Sequence, residues 1–281
     1  MHHEGGTDGP MDRKFVRAAL ACASTFACTV AVVSAHAQSG AEVAGQVVNP
    51  FVSMTKVPLQ LNVDRRLGPQ DGGNASVFNI QPLIPFALNA DWDVISRTIV
   101  SVVAQRDIAP GSGSQFGLGD TLQSFFLSPP KANAHGIDWG LGAALLLPTA
   151  TNDLLGSKQW ALGPTGGAFM DSGPWTVGIL ANHVWTVAGS VTGGRISSTF
   201  VQPLASYAPS DAWSYTLQTE ATYDWTARQW SVPIEASVAR LTKIGGYQLT
   251  VEPGVHYWAA SPQTGPKGWG LSFTTTLLFP K

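Results

Sequence analysis

The stretch Trp213-Ser214-Tyr215-Thr216-Leu217-Gln218-Thr219-Glu220-Ala221-Thr222-Tyr223-Asp224-Trp225 decides the fold. One set of alternate positions reads Trp213, Tyr215, Leu217, Thr219, Ala221, Tyr223, Trp225. The other reads Ser214, Thr216, Gln218, Glu220, Thr222, Asp224. Successive side chains of a strand point to opposite faces, so this period of two predicts a strand with one apolar and one polar face. The run is longer than the roughly five or six residues of an ordinary strand. It suits the about 9–11 residues that cross a bilayer, with aromatic residues where the strand meets the two interfaces.

The pattern recurs along the chain. Segment 230–240 sets Trp230, Val232, Ile234, Ala236 and Val238 against Ser231, Glu235 and Ser237. Segment 247–257 sets Tyr247, Leu249, Val251, Val255 and Tyr257 against Gln248, Thr250, Glu252 and His256. Segments 137–147, 175–187 and 269–279 alternate in the same way, and weaker candidates fill 57–66, 76–87, 92–105, 116–128, 160–171 and 197–208. The reading is all-β: a single transmembrane antiparallel β-barrel of about twelve strands, an even number as bacterial single-chain barrels require. Turn signals such as Gly72-Gly73-Asn74, Pro110-Gly111-Ser112-Gly113 and Asp171-Ser172-Gly173-Pro174 separate the segments. Pro82, Pro85, Pro203, Pro233 and Pro253 fall inside expected strands. Proline gives no N–H to a ladder, so they are expected at bulges or near rims.

Composition points the same way. The 281 residues carry 16 Lys+Arg, 18 Asp+Glu and a net charge of −2, and charged residues make up only 12% of the chain. That share is about half the usual one for a soluble domain. The near-neutral balance, with no basic patch, argues against a nucleic-acid partner. Ten Trp and thirty Gly suit a β-rich wall whose outer surface meets lipid. A secreted soluble sandwich is the competing architecture.

The first residues read as an address. Arg13, Lys14 and Arg17 precede an apolar stretch from Ala18 to Val33, and Ala35-His36-Ala37 fits a signal-peptidase site. Residues 1–37 are therefore expected to be an extension plus signal peptide cleaved near Ala37, with either Met1 or Met11 as the start. Residues 38–56 are then an N-terminal mature segment and 57–281 the barrel. Both cysteines, Cys22 and Cys28, lie in the signal, so neither a disulfide nor a cysteine metal site is expected in the mature chain.

Several motifs give the chain a family resemblance. They are Asn79-Ile80-Gln81-Pro82-Leu83-Ile84-Pro85-Phe86, Asp91-Trp92 with Ile95 and Arg97, Phe116-Gly117-Leu118-Gly119-Asp120, and Leu147-Pro148-Thr149-Ala150-Thr151. Trp160 with Gly163-Pro164, Gly173-Pro174-Trp175, Asn182-His183, Gln202-Pro203, Trp225, Pro233 and Gly268-Trp269-Gly270-Leu271 to Phe279 continue the series. Over residues 49–281 the chain resembles bacterial outer-membrane proteins associated with the meta-pathway of phenol degradation, a family regarded as transporters. The resemblance implies an outer-membrane barrel that passes small or aromatic compounds and supplies no catalytic residues. Phe279 holds the place of the terminal aromatic that the barrel-assembly machinery reads, although Pro280-Lys281 follow it.

The candidate functional residues are ionisable or polar side chains in the inward phase: Arg97, Asp120, Gln218, Glu220, Asp224, Glu235, Glu252 and His256. Charges facing lipid are costly, so these are expected to line the lumen. They could border a water-filled pore, or Arg97 could join the acids in a salt-bridge network that plugs the barrel. Trp175, Trp213, Trp225, Trp230, Tyr257 and Trp269 are expected in the interfacial aromatic girdles. His135, His183 and His256 are too scattered for a metal site, and no cofactor is expected. His183 falls on the lipid face. With Asn182, Thr186 and Ser190 it invites comparison with the Ser-His-Asn site of an outer-membrane phospholipase. Adjacent strand residues point apart, which argues against a triad. The expected partners are outer-membrane lipid, a small-molecule solute and the assembly machinery. The alternatives to transport are a structural or surface-binding barrel and an outer-membrane hydrolase.

Overall fold

The computed structural model describes residues 47–190, 194–209 and 212–279. The signal peptide, its cleavage site and both cysteines lie outside the described residues. The strand segments run β1 (Thr55–Leu67), β2 (Gly73–Ile80), β3 (Leu83–Ala87), β4 (Asp93–Arg106), β5 (Ser114–Leu118) and β6 (Thr121–Ser128). They continue as β7 (Ile137–Leu147), β8 (Gln159–Ser172), β9 (Trp175–Gly189), β10 (Ser197–Tyr207) and β11 (Trp213–Thr219). The last are β12 (Ala221–Asp224), β13 (Gln229–Ile244), β14 (Tyr247–Ala260) and β15 (Gly268–Phe279). β2/β3, β5/β6 and β11/β12 are each one pass of the wall, briefly interrupted, so the chain crosses twelve times. Each pass pairs antiparallel with the next. β15 then pairs with β1, Thr55 opposite Phe279 and Val63 opposite Leu271, which closes the barrel. The twelve expected segments all form passes, and β1 begins at Thr55 rather than 57.

The alternation sorts side chains between lipid and lumen. Leu217, Trp213, Tyr215 and Trp225 are exposed outward, while Ser214 and Thr216 between them are buried. Leu271 and Phe273 of β15 are exposed, and Ser272 between them is buried. A soluble protein would not leave so continuous an apolar band on its surface. In a bilayer that band is the favourable one.

The prolines explain the interruptions. Pro82 separates β2 from β3. At the β11/β12 break, the register sets Glu220 opposite Pro233 of β13 and Thr219 opposite Pro203 of β10. Proline has no N–H to offer, so the ladder lapses there. A bulge lies at Val232/Pro233. Pro85 lies opposite Ile95, two residues from the end of β3 and so near a rim, and Pro203 pairs with Ile179 of β9 while its pairing on the β11/β12 side lapses. Pro253 lies within β14, where the pairing between Gly254 and Val251 lapses.

Residues preceding β1 enter the barrel. The Phe51 ring packs edge-on against Phe126 at 5.6 Å and Phe169 at 5.9 Å, in a cluster with Leu83, Ile95 and Leu180. Directly paired Gly140 and Gly167 form its seat, and a Cβ on Gly140 would come within 2.4 Å of Phe51 Cε1. Lys56 holds the same segment by donating from Nζ to the carbonyl of Val47 at 3.1 Å and to that of Asn49. Asn49 Nδ2 in turn donates to Asp138 Oδ2 at 2.8 Å. The buried ammonium thus has carbonyl partners, with Asp171 and Asp138 as countercharges.

Gly140→Leu should therefore displace Phe51 and lower the thermal midpoint, with an overpacking cost of about 1–3 kcal/mol. Gly140→Leu combined with Phe51→Ala should recover most of that loss, because the new side chain fills the vacated volume. Heat-modifiable gel mobility against temperature reads both variants. Equal damage in the single and double variants would contradict the seat.

Candidate functional site

The lumen collects polar side chains from adjacent passes. On one side, Arg97 Nη2 of β4 donates to Gln81 Oε1 at 3.0 Å, and Gln81 Nε2 donates to Gln60 Oε1 at 2.9 Å. This makes a belt across β1, the β2/β3 break and β4. On the other side, Gln202 Nε2 of β10 donates to Gln218 Oε1 at 3.0 Å and to Glu220 Oε1 at 3.3 Å. Arg97 and Glu220 sense each other's charge without forming a direct ion pair.

Three further inward acids, Asp64, Glu235 and Glu252, gather on β1, β13 and β14. Glu235 Oε1 accepts from Ser272 Oγ at 3.0 Å, and Glu252 Oε1 accepts from Ser237 Oγ at 2.5 Å. His256 stands directly opposite Glu235. Its Nε2 donates to Asp64 Oδ1 at 2.7 Å, and Trp258 Nε1 donates to the same oxygen at 2.7 Å. An ionised carboxylate only accepts, so His256 carries its hydrogen on Nε2 here. Its Nδ1 is buried without a hydrogen-bond partner. The result is an acidic inner wall facing Arg97.

Two expected lumen residues serve connections instead. Asp120, at the β5/β6 break, accepts from the amides of Ala150 and Ser157 at 3.3 and 2.7 Å and from Ser157 Oγ at 2.7 Å. It anchors the 148–158 connection, which lies against the inner side of β5 where Thr151 and Leu155 face Gly117. Asp224 accepts from the amides of Thr226 and Ala227 at 2.8 and 2.9 Å, fixing the turn at the rim. The expected salt-bridge network around Arg97 does not form among the described residues. Arg97 lies on β4 and the acids on β11–β14 across the lumen, so a glutamine takes its guanidinium instead. Sequence reading missed Lys56, Gln60, Asp64 and Gln202, although each lies in the inward phase of its strand, and Gln81, which lies in the break between β2 and β3.

The six girdle candidates are all exposed at strand ends. Trp175 and Trp213 stand at the end that also holds Thr55 and Phe279, and Trp225, Trp230, Tyr257 and Trp269 at the other. Arg240 lies over the Trp213 ring at 5.3 Å. The phospholipase-like set does not assemble. Asn182 has the inward parity of Leu180 and Val184, and Thr186 bonds Gln159. His183 Nδ1 instead lies 2.7 Å from Thr199 Oγ1.

At the end away from Thr55 and Phe279, the mouth of the barrel, connections fasten the seam between β15 and β1. Gly68 N donates to Thr264 O at 2.8 Å. Lys267 Nζ donates to Asp71 Oδ1 at 2.5 Å, and Arg66 Nη2 lies 3.5 Å from Asp71 Oδ2. The Lys267 hydrogen bond, reinforced by Arg66 and opposed by partial desolvation, holds the Asp71 carboxyl below the usual carboxylate range.

No known family model and no curated protein matches the sequence. Among solved structures, an outer membrane channel from Pseudomonas putida F1 superposes with a TM-score of 0.62 at 15% identity, covering 81% of this chain and 96% of that one. The NanC porin gives a TM-score of 0.46 at 10% identity, covering 81% and 100%. Outer membrane phospholipase A from Escherichia coli gives 0.45 at 11% identity, covering 87% and 99%. At such identities the likeness to the channel is one of fold.

A depressed carboxyl stabilises the folded clasp above its unfolded pKa, and that contribution fades as pH falls through the lower folded value. A nitroxide at Gln263 should therefore gain mobility below about pH 4. Asp71→Asn should show that mobility already at pH 6 and little further change. A probe in the wild-type chain that stays immobile down to pH 2 would contradict the clasp.

From the fold and lumen, the chain has the architecture of an outer-membrane β-barrel with a polar interior.

Proposed function

We propose that the chain is a passive outer-membrane channel for small compounds. The observation that carries this is the closed wall around an ionisable lumen. Asp64, Glu220, Glu235 and Glu252 line one side and Arg97 the other, a polar interior that a merely structural barrel would not need. In this reading the signal peptide exports the chain and the assembly machinery reads the strand ending at Phe279. The six strand-end aromatics form the interfacial girdles. Asp120 and Asp224 border the mouth through the connections they hold, and Gln218 and His256 complete the polar lining. The channel is not an enzyme.

Residues 47–54 occupy the end opposite the mouth, so the resting conductance is small and Phe51 must move for solute to pass. The phenol-degradation resemblance supports aromatic or hydrophobic solutes. So does an apolar concavity of about 1070 Å³ on the outer wall, lined by Leu61, Leu217, Val238, Val255, Leu271 and Phe273. It lies over the stretch of β13 and β14 whose inner face carries Glu235 and Glu252.

Planar-bilayer recording of the refolded mature chain tests the proposal. Wild type should show brief small openings, and Phe51→Ala should lengthen them. Glu235→Gln with Glu252→Gln should lower cation over anion permeability by roughly twofold or more, because charged side chains lining a pore set its selectivity. A folded, heat-modifiable protein that stays silent in all three forms would favour a structural or surface-binding barrel.

A further inference from the structure

The outer wall at the mouth carries polar groups where lipid chains would ordinarily meet apolar surface. His183 and Thr199 are directly paired on β9 and β10, with His183 Nδ1 2.7 Å from Thr199 Oγ1. Trp225 Nε1 donates to the same hydroxyl at 2.8 Å. Aromatic rings surround this cluster. Trp185 lies 5.4 Å and Trp225 6.5 Å from the His183 ring, and Tyr223 packs on Trp225 at 4.8 Å and on Trp230 at 4.9 Å.

Two exposed arginines stand at the same edge. Arg195 precedes β10 and Arg228 precedes β13. Thr226 Oγ1 donates to the Arg195 carbonyl at 2.7 Å, which ties the two connections together. Neither guanidinium forms an ion pair among the described residues. The nearby Asp224 is engaged by the amides of its own turn. Two exposed arginines with no ion pair among the described residues thus lie on the connections at the edge that carries the aromatic cluster.

Sidedness identifies the leaflet. The connections at this end include 148–158, 190–196, 261–267 and 107–113, whereas the opposite end has the tight turns 173–174 and 245–246 and the short 88–92 beside one longer connection, 129–136. Barrels of this kind turn their short connections to the periplasm and their long ones outward. We infer that this face binds the phosphate-bearing glycolipid of the outer leaflet. A lipid phosphate sits against Arg195 and Arg228, whose planar groups suit phosphate oxygens. His183 lies below as a further polar contact, and the acyl chains lie along Trp185, Trp225 and Trp230.

Native mass spectrometry of the refolded mature chain tests this with three probes: bisphosphorylated lipid A, enzymatically dephosphorylated lipid A and phosphatidylglycerol. Bisphosphorylated lipid A should bind most tightly. Arg195→Gln with Arg228→Gln should weaken it by roughly tenfold, as expected for the loss of charge-assisted contacts. Both arginines are exposed on connections, so the variant should fold, and heat-modifiable mobility checks that. His183→Ala should weaken binding less. Equal retention of the dephosphorylated lipid, equal retention of phosphatidylglycerol, or an unchanged affinity in the double variant would each overturn the inference.

Discussion

A bilayer core offers no water to the backbone, so every N–H and C=O in the wall must find a partner within the wall. The rest of the structure follows from that constraint. It makes β15 return to β1, and it makes side chains divide by parity between lipid and lumen. It also makes the proline positions costly. Pro203 and Pro233 flank the Thr219–Glu220 step, and the pairing lapses beside Pro253. These lapses cluster on the passes whose inner faces carry Glu220, Glu235 and Glu252. The least regular wall therefore adjoins the most acidic part of the interior.

Parity alone would give an empty polar tube. Two segments fill it differently. Residues 47–54 bring Phe51 onto a pair of glycines and lay carbonyls over Lys56. The 148–158 connection turns back against β5 under the hold of Asp120. Glu235 and Glu252 take serine hydroxyls and Arg97 takes an amide oxygen, because the wall places Arg97 across the lumen from these acids. Among the described inward groups, only Asp64 with His256, and Lys56 near Asp138 and Asp171, bring opposite charges together.

Much of this architecture could be read from alternation. The segment 213–225 alone shows which side chains of β11 and β12 face lipid, and β7 occupies Ile137–Leu147 as expected. Such readings succeed because parity is a local property. What could not be read depends on contacts far apart in the chain. Asp64 meets His256 only because β1 lies two passes from β14, through β15, in the closed sheet. Asp120 looked like a lumen acid because its phase is inward, yet its partners come from a connection whose course no periodicity records. Nothing in the strand pattern around Gly140 and Gly167 announces that the space they leave has a tenant, Phe51, in a segment with no strand pattern of its own.

The seat of Phe51 has a consequence for how the molecule is made. Its ring contacts side chains from β6 and β8 and rests on β7 and β8, while its own chain leads directly into β1, the strand that closes the sheet against β15. The inner tenant and the closing strand are thus covalently adjacent. Docking Phe51 on the half-built sheet would draw Thr55 toward the rim where Phe279 arrives, shortening the search for the contact most distant in sequence. The same few residues that obstruct the finished lumen would then act during biogenesis as a guide for closing the cylinder.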